Sequence, residues 1–311
     1  MAEFDVYAFA DYSGAASDKE QRRRIAWCVG RRLSGLLDGR GELPAEVSNG
    51  TGDEGRPLSI VGCTRRELVE VALRLLQKAT AARERVLFGF DHNYSMPVGF
   101  YEAATGREQR SWRQMLDWLA DELEVGLEEG VEPHPRQWAA RVNEAIARRL
   151  KLPVGPFWGP HFSPGRRMFP FGEFGARLPE RRLVETRQTG MKSAYQLGGA
   201  GSVGLQSLFG IARLRQLLRR CEAADIPLHC WPFDGWSPPQ QKHVMVEVYP
   251  TLYLPAAAGR RTDAGDAAAC VRWAREQDRL GQLDEWLAEP PGLTPAERRR
   301  AALEGWVLGV R

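Results

Sequence analysis

The run Val244-Met-Val-Glu-Val-Tyr249 sets a carboxylate, Glu247, among otherwise apolar side chains. Side chains alternate across a strand, so a run that is apolar at every position belongs in a sheet covered on both faces. A carboxylate placed there loses its hydration unless something positive replaces the water. Two further runs of the same kind end in an acid: Phe4–Asp11 (FDVYAFAD) and Arg85–Asp91 (RVLFGFD). Asp263 and Asp266 stand three apart at a helix start, on neighbouring faces of one turn.

Around these runs the periodicity predicts short strands at Ile25–Val29 and Leu58–Gly62, with the polar stretch Asp38–Arg56 as a long hairpin loop. Thr64-Arg-Arg-Glu67 fits a capping box that opens a helix carrying Leu68, Ala72, Leu75, Leu76 and Ala79 on one stripe. Two helices are expected within Glu108–Glu129 and Pro135–Leu150, and another over about Leu205–Ala223. Strands are expected at Ile226–Phe233 and His243–Tyr249, and a helix from about Asp263 to Leu280. A last helix should open at Thr294-Pro-Ala-Glu297, a second capping box. This order implies an α/β layer fold with a mixed sheet and a large insertion after the fourth strand. The 226–233 and 243–249 strands compete for one place in that sheet.

Composition excludes some classes. With 43% apolar and 27% charged residues over 311 positions, the chain is neither disordered nor fibrous. No run approaches the roughly 18 apolar residues of a membrane span. Met1–Asp5 has no basic n-region. Five scattered cysteines without a C-x-x-C pair argue against a disulfide framework or zinc ribbon, and make a cytoplasmic location the expectation.

Strands lying side by side would gather Asp11, Asp91 and Glu247 at one sheet edge. Carboxylates so gathered repel one another or take up protons. A divalent cation removes the conflict, and Mg²⁺ or Mn²⁺ suits oxygen donors and phosphate. Two such ions roughly 3.5–4 Å apart clamp a phosphodiester undergoing displacement. Each acid also has a plainer reading. Asp11 makes an Asx turn with Ser13 and Gly14, and Asp91 caps the loop after it. Glu247 pairs with Arg187 or Lys192, Asp263 caps its helix, and Asp266 complements the helix dipole.

The motifs Asp11-Tyr-Ser-Gly-Ala15, Phe88-Gly-Phe-Asp91, Val246-Glu-Val-Tyr-Pro250 and Asp263-Ala-Gly-Asp-Ala267 resemble those of the predicted RNase H-like nuclease family, long classed as a domain of unknown function. The resemblance runs from the first strand to Glu304-Gly-Trp306. Asp91 is followed here by His-Asn-Tyr-Ser instead of a proline directly after the acid. The resemblance implies a ribonuclease H-like mixed sheet flanked by helices, with 1–91 and 205–311 forming the core. The insertion, 92–204, then has a helical part (101–150) and a basic, aromatic, Pro/Gly-rich part (151–204). It further implies that Asp11, Asp91, Glu247 and Asp266 hold metal, with Asp263 the rival for the last place, in a divalent-metal-dependent nuclease.

Between residues 148 and 192 the local charge is +7, against +3 for the chain, interleaved with aromatics. That mixture suits a single-stranded nucleic-acid groove, and equally a loop packed on the core. Gly199-Ala-Gly-Ser-Val-Gly204 matches G-x-G-x-x-G, but its preceding stretch is too polar for a dinucleotide-binding strand. A phosphate cradle from Gly199, Gly201, Ser202 and Gly204, aided by Arg187, Lys192 and Ser13, is the middle reading between that and a plain turn. His92, His161 and His243 are candidates for proton transfer or phosphate contact, against a structural role. The alternatives to a nuclease are a nucleotide-dependent phosphotransferase of the actin-like type and a non-catalytic nucleic-acid- or protein-binding member of the fold.

Overall fold

A computed structural model of the protein describes residues 4–32, 58–123, 135–159, 178–199, 201–254 and 261–311. In chain order the elements are β1 (Val6–Asp11), α1 (Asp18–Arg24), β2 (Ala26–Arg31), β3 (Ser59–Gly62), α2 (Arg65–Ala82), β4 (Val86–Phe90), α3 (Phe100–Thr105), α4 (Trp112–Leu123), α5 (Pro135–Leu150), α6 (Leu183–Arg187), α7 (Gly204–Ala223), β5 (Leu228–Cys230), β6 (His243–Glu247), α8 (Asp263–Arg279), α9 (Leu283–Leu287) and α10 (Pro295–Glu304). The expected hairpin loop Asp38–Arg56 lies outside the described residues.

The chain forms two compact units, 1–91 with 220–289 and 92–219 with 290–311. The expectation had placed 205–219 and 290–311 with the first unit. In the second unit, Ser207 Oγ donates to Asn93 Oδ1 and Arg219 pairs with Asp121, while Glu304, at the end of α10, has its carboxylate bonded to the amides of Val98 and Leu183.

The first unit is an α/β layer built on a mixed six-stranded sheet of order β3-β2-β1-β4-β6-β5. β1 pairs antiparallel with β2, and β2 with β3. β1, β4, β6 and β5 run parallel. β6 therefore takes the place beside β4, and β5 becomes the edge strand. β5 is only three residues long, shorter than the expected 226–233. Pro232 follows it without an amide to donate, and Asp234 folds back so that its Oδ2 accepts the Cys230 amide at 2.8 Å.

Every residue of β1, β4 and β6 is buried, as their apolar runs require. α8 packs along β1 and β2. Tyr7 Oη donates to Asp278 Oδ2 at 2.5 Å near the start of β1. A Cβ on Gly30 would meet Val271 at 2.7 Å, so that glycine lets the helix approach closely. α2 begins with the expected capping box, Thr64 Oγ1 accepting from Glu67 and Glu67 from Thr64. Its buried stripe is Leu68, Val69, Ala72, Leu73, Leu76 and Ala79, so Leu75 falls outside it.

The second unit has a helical, aromatic core. Phe100 of α3, Trp138 of α5, Phe157 and Tyr195 make ring contacts with centroids 5.3–6.4 Å apart. Phe157, an aromatic of the basic stretch for which a groove and a core-packed loop were both open, is thus a core residue. α10 opens with the second capping box, at Thr294 and Glu297. The short helices α1, α3, α6 and α9 were not expected; each spans two turns or fewer and lacks the length to display a period. Among the described residues no helix is long and apolar enough to cross a membrane. All five cysteines are free and buried.

Candidate metal and active site

The parallel register brings three strand ends level. Ala10 pairs with Phe90, and Phe90 with Glu247. The Asp91 amide continues the ladder onto Ala10 O at 2.9 Å. Gly89 permits the close β4–β6 approach, since a Cβ there would lie 2.0 Å from Val246 O. This edge is the carboxyl end of the parallel strands, where open α/β sheets present their ligand crevice.

The side chains of Asp11 and Asp91 meet in a hydrogen bond, which two carboxyl groups form only by sharing a proton. The proton affinity of both is raised, to about 10 on Asp11 and about 7 on Asp91. Loss of water is the largest cause for each, and the charges of neighbouring acids add to it. Those neighbours are Asp91, Asp263 and Asp266 for Asp11, and Glu247 and Asp266 for Asp91. Asp263, Asp266 and Glu247 thus each bear on Asp11, on Asp91 or on both.

Local structure explains how each arrives. α8 starts at the Asp11 end of β1, and its N-cap is Thr262, whose Oγ1 accepts the Gly265 amide at 3.0 Å. Asp263 is therefore the first helical residue and not the cap. Asp266, one turn in, is the buried member of the pair. Glu247 is 4% exposed and level with Phe90, one residue short of Asp91 in the register. The pleat gives level residues a common face and sends the next residue to the other. Among the described residues no three His, Cys, Asp or Glu side chains form a metal-ligating group. Asp11 and Asp91 hold each other, Asp266 is held by Arg261, and Glu247 is offset by one position. Carboxylate oxygens are hard donors, of the kind that hard divalent cations take.

Sequence reasoning missed Arg261 and Arg65. Arg261 Nη2 lies 2.5 Å from Asp266 Oδ2, and Nη1 donates to Thr251 Oγ1 at 2.9 Å. Arg65, wholly buried, donates to Ser13 O at 2.7 Å and Ala15 O at 2.8 Å, shaping the loop after Asp11. Ser13 Oγ accepts the Ala15 amide at 3.2 Å. Arg65 directly follows the N-cap of α2, and that adjacency to a helix start was its one signal. Cys270, one turn beyond Asp266, has its thiol held protonated by burial and by the field of Asp91, Asp11 and Asp266.

The other predicted residues belong to the second unit. Arg187 pairs with Glu297 at 3.1 Å and lies over the Trp306 ring. Lys192 is exposed, its stem beside Gly201. Gly199 and Gly201 have φ of 95° and 67°, left-handed values that glycine accommodates. The Ser202 amide bonds to Gly199 O at 3.2 Å and the Gly204 amide to Gln196 O at 2.9 Å. These two amides close a turn into α7 and have no proton left for a phosphate. Of the basic stretch 148–192, residues 160–177, with His161, lie outside the described ones.

His92 and His243 are buried and lowered to about 4 by loss of water, so both are neutral at pH 7. His92 contacts Asn93 O, and Gly210 leaves room for its ring. His243 accepts the Val86 amide on Nδ1 and donates from Nε2 to Thr80 Oγ1. Both are structural.

Neither the protein-family models, nor the curated proteins, nor the solved structures gave a match to this chain.

Proposed function

We propose that the first unit is a ribonuclease H-like core carrying a divalent-metal-dependent phosphodiesterase centre that acts on nucleic acid. One observation supports this above the rest. Asp11 and Asp91 stand level at the carboxyl edge of the parallel strands β1 and β4, within the field of Asp263, Asp266 and Glu247, which raises their proton affinity. A fold maintained for its stability gains nothing from so many mutually repelling acids. The resemblance implies a mixed sheet flanked by helices, and the sheet here is mixed.

In this reading Asp11 and Asp91 form the principal ligand pair, Asp266 joins them from α8, and Glu247 and Asp263 complete the negative field. A bound Mg²⁺ or Mn²⁺ supplies Lewis-acid activation and charge neutralisation at phosphorus. The chain's own part is to present the oxygens in fixed register. Arg65 holds the loop beside Asp11, the β4–β6 ladder levels Asp91 with Val248, and Thr262 sets the first turn of α8. The phosphotransferase reading has less behind it, because two amides of the glycine turn, those of Ser202 and Gly204, are bonded to carbonyls.

The test is cleavage of labelled single-stranded, duplex and hybrid substrates with Mg²⁺ or Mn²⁺. Asp91→Asn should lose at least ~100-fold in rate, and Glu247→Gln less. Full activity in Asp11→Asn and Asp91→Asn, or no cleavage of any substrate by the wild type, would overturn the proposal.

A further inference from the structure

We propose that Arg261 is the internal counter-cation of the carboxylate edge, and that a divalent cation competes with it for Asp266. This rests on the metal-dependent reading above and adds to it a residue that controls access to the ligands.

Coordination geometry is the first support. Arg261 Nε lies 3.1 Å from Asp266 Oδ2 and 3.3 Å from Oδ1, while Nη2 lies 2.5 Å from Oδ2. The guanidinium thus covers both oxygens that a metal would need. A planar fork of this kind takes the in-plane lone pairs of a carboxylate.

The second support is the reach of its charge. Arg261 acts on Asp11 and Asp91 as well as on Asp266. Its charge offsets part of the field at Asp91. A guanidinium so placed does electrostatically part of what a divalent ion would do, and the two repel each other.

Its exposure is the third. The Arg261 side chain is 48% exposed while that of Asp266 is 10% exposed. The arginine can leave Asp266 without opening the core, whereas the acid stays in place. Arg261 also directly precedes the N-cap of α8, and its second contact, Thr251 Oγ1, holds the head from outside the acid group. A guanidinium released from Asp266 would stand at the same edge with its fork free for a substrate phosphate. The sequence had assigned that task to Arg187 and Lys192, and Arg187 is already engaged by Glu297. Arg261 is therefore a positioning residue that moves between two anions, one internal and one on the substrate.

Mn²⁺ titration of the full chain, by calorimetry and by the electron paramagnetic resonance signal of free Mn²⁺, tests this without reference to activity. Arg261→Gln should bind Mn²⁺ roughly tenfold tighter than wild type, because a like charge has been removed from beside the ligands. Arg261→Lys keeps the charge but cannot span both oxygens, and should fall between the two. An affinity order of wild type, then Lys, then Gln supports the proposal, and the first step alone decides it if the Gln variant does not fold. A flat or reversed order with Mn²⁺ bound by the wild type overturns the role of Arg261 and leaves the metal reading standing. Failure of the folded wild type to bind Mn²⁺ overturns both.

Discussion

Each unit buries carboxylates, and the two do so in opposite ways. In the second unit Glu304, with no exposed surface, takes Arg300 Nε at 2.9 Å and the amides of Val98 and Leu183 at 2.7 and 2.6 Å. Glu185 takes Arg182 Nε at 2.7 Å, the Arg182 amide at 3.0 Å and Asn93 Nδ2 at 2.5 Å. Each acid has its own cation and its own donors. In the first unit Asp11 and Asp91 have each other, and Arg261, whose charge reaches both, is paired with Asp266. Buried acids that hold a fold together are provided with partners inside it. Buried acids whose neighbours are chiefly other acids mark a place where a cation from outside would relieve the repulsion.

That contrast can be broken most forcefully at Glu304. Glu304→Ala leaves Arg300 and the buried amides of Val98 and Leu183 without their carboxylate and should cost about 3–5 kcal/mol in urea unfolding followed on α10 by hydrogen exchange. A loss under 1 kcal/mol would mean that the second network is not structural. Asp11→Asn should act in the other direction. It removes the need to take up a proton on folding, so the first unit should gain ~1–3 kcal/mol at pH 8 in the presence of chelator. A loss of stability would refute the view that these acids oppose the fold.

The pH dependence sharpens the same contrast. Asp11 and Asp91 bind protons more tightly in the folded chain than unfolded, so the folded state carries extra protons above the ordinary value of 3.8. Their contribution is complete below 3.8 and declines as pH rises through about 7 and about 10. Glu297 in the second unit behaves oppositely. Its bond to the Thr294 amide, with Arg187 nearby, lowers it to about 2, so its contribution is present above the ordinary carboxylate range and lost as pH falls through about 2. Hydrogen exchange read on β1 should therefore show protection falling with rising pH when chelator is present, and Mn²⁺ should flatten that slope.

The smallest expected effect is a control. Thr64 and Thr294 head the same capping box in different units, and Thr64→Ala and Thr294→Ala should each cost about 1 kcal/mol by thermal unfolding. Unequal costs would show that the units differ in more than their acids.

Much of this was legible beforehand. Runs such as VYAFAD and VLFGF declare buried strands because nothing polar interrupts their alternation. Both capping boxes declare helix starts because two side chains must satisfy specific amides. The acids at strand ends announced themselves by their apolar company. Arg261 did not, because an arginine in Gly-Arg-Arg-Thr reads as a solvated loop residue until its partner, five residues on, is folded beneath it. Nor did Arg65, whose contacts lie fifty residues away on the loop after β1. Gly199–Gly204 misled in the other direction, since a glycine pattern states backbone freedom without stating which carbonyls the amides will meet.

The sequence alone determined which segments are buried strands, where the longer helices begin, and that five acids sit at element ends or inside apolar runs, since these follow from local alternation and local amide satisfaction. Tertiary structure decided that β6 and not β5 stands beside β4, that Asp91 falls opposite Asp11 while Glu247 is offset by one residue, and that α10 belongs with the second unit. Those outcomes depend on pairing between segments far apart in the chain, where a register shift of one residue changes every neighbour without changing a single local preference.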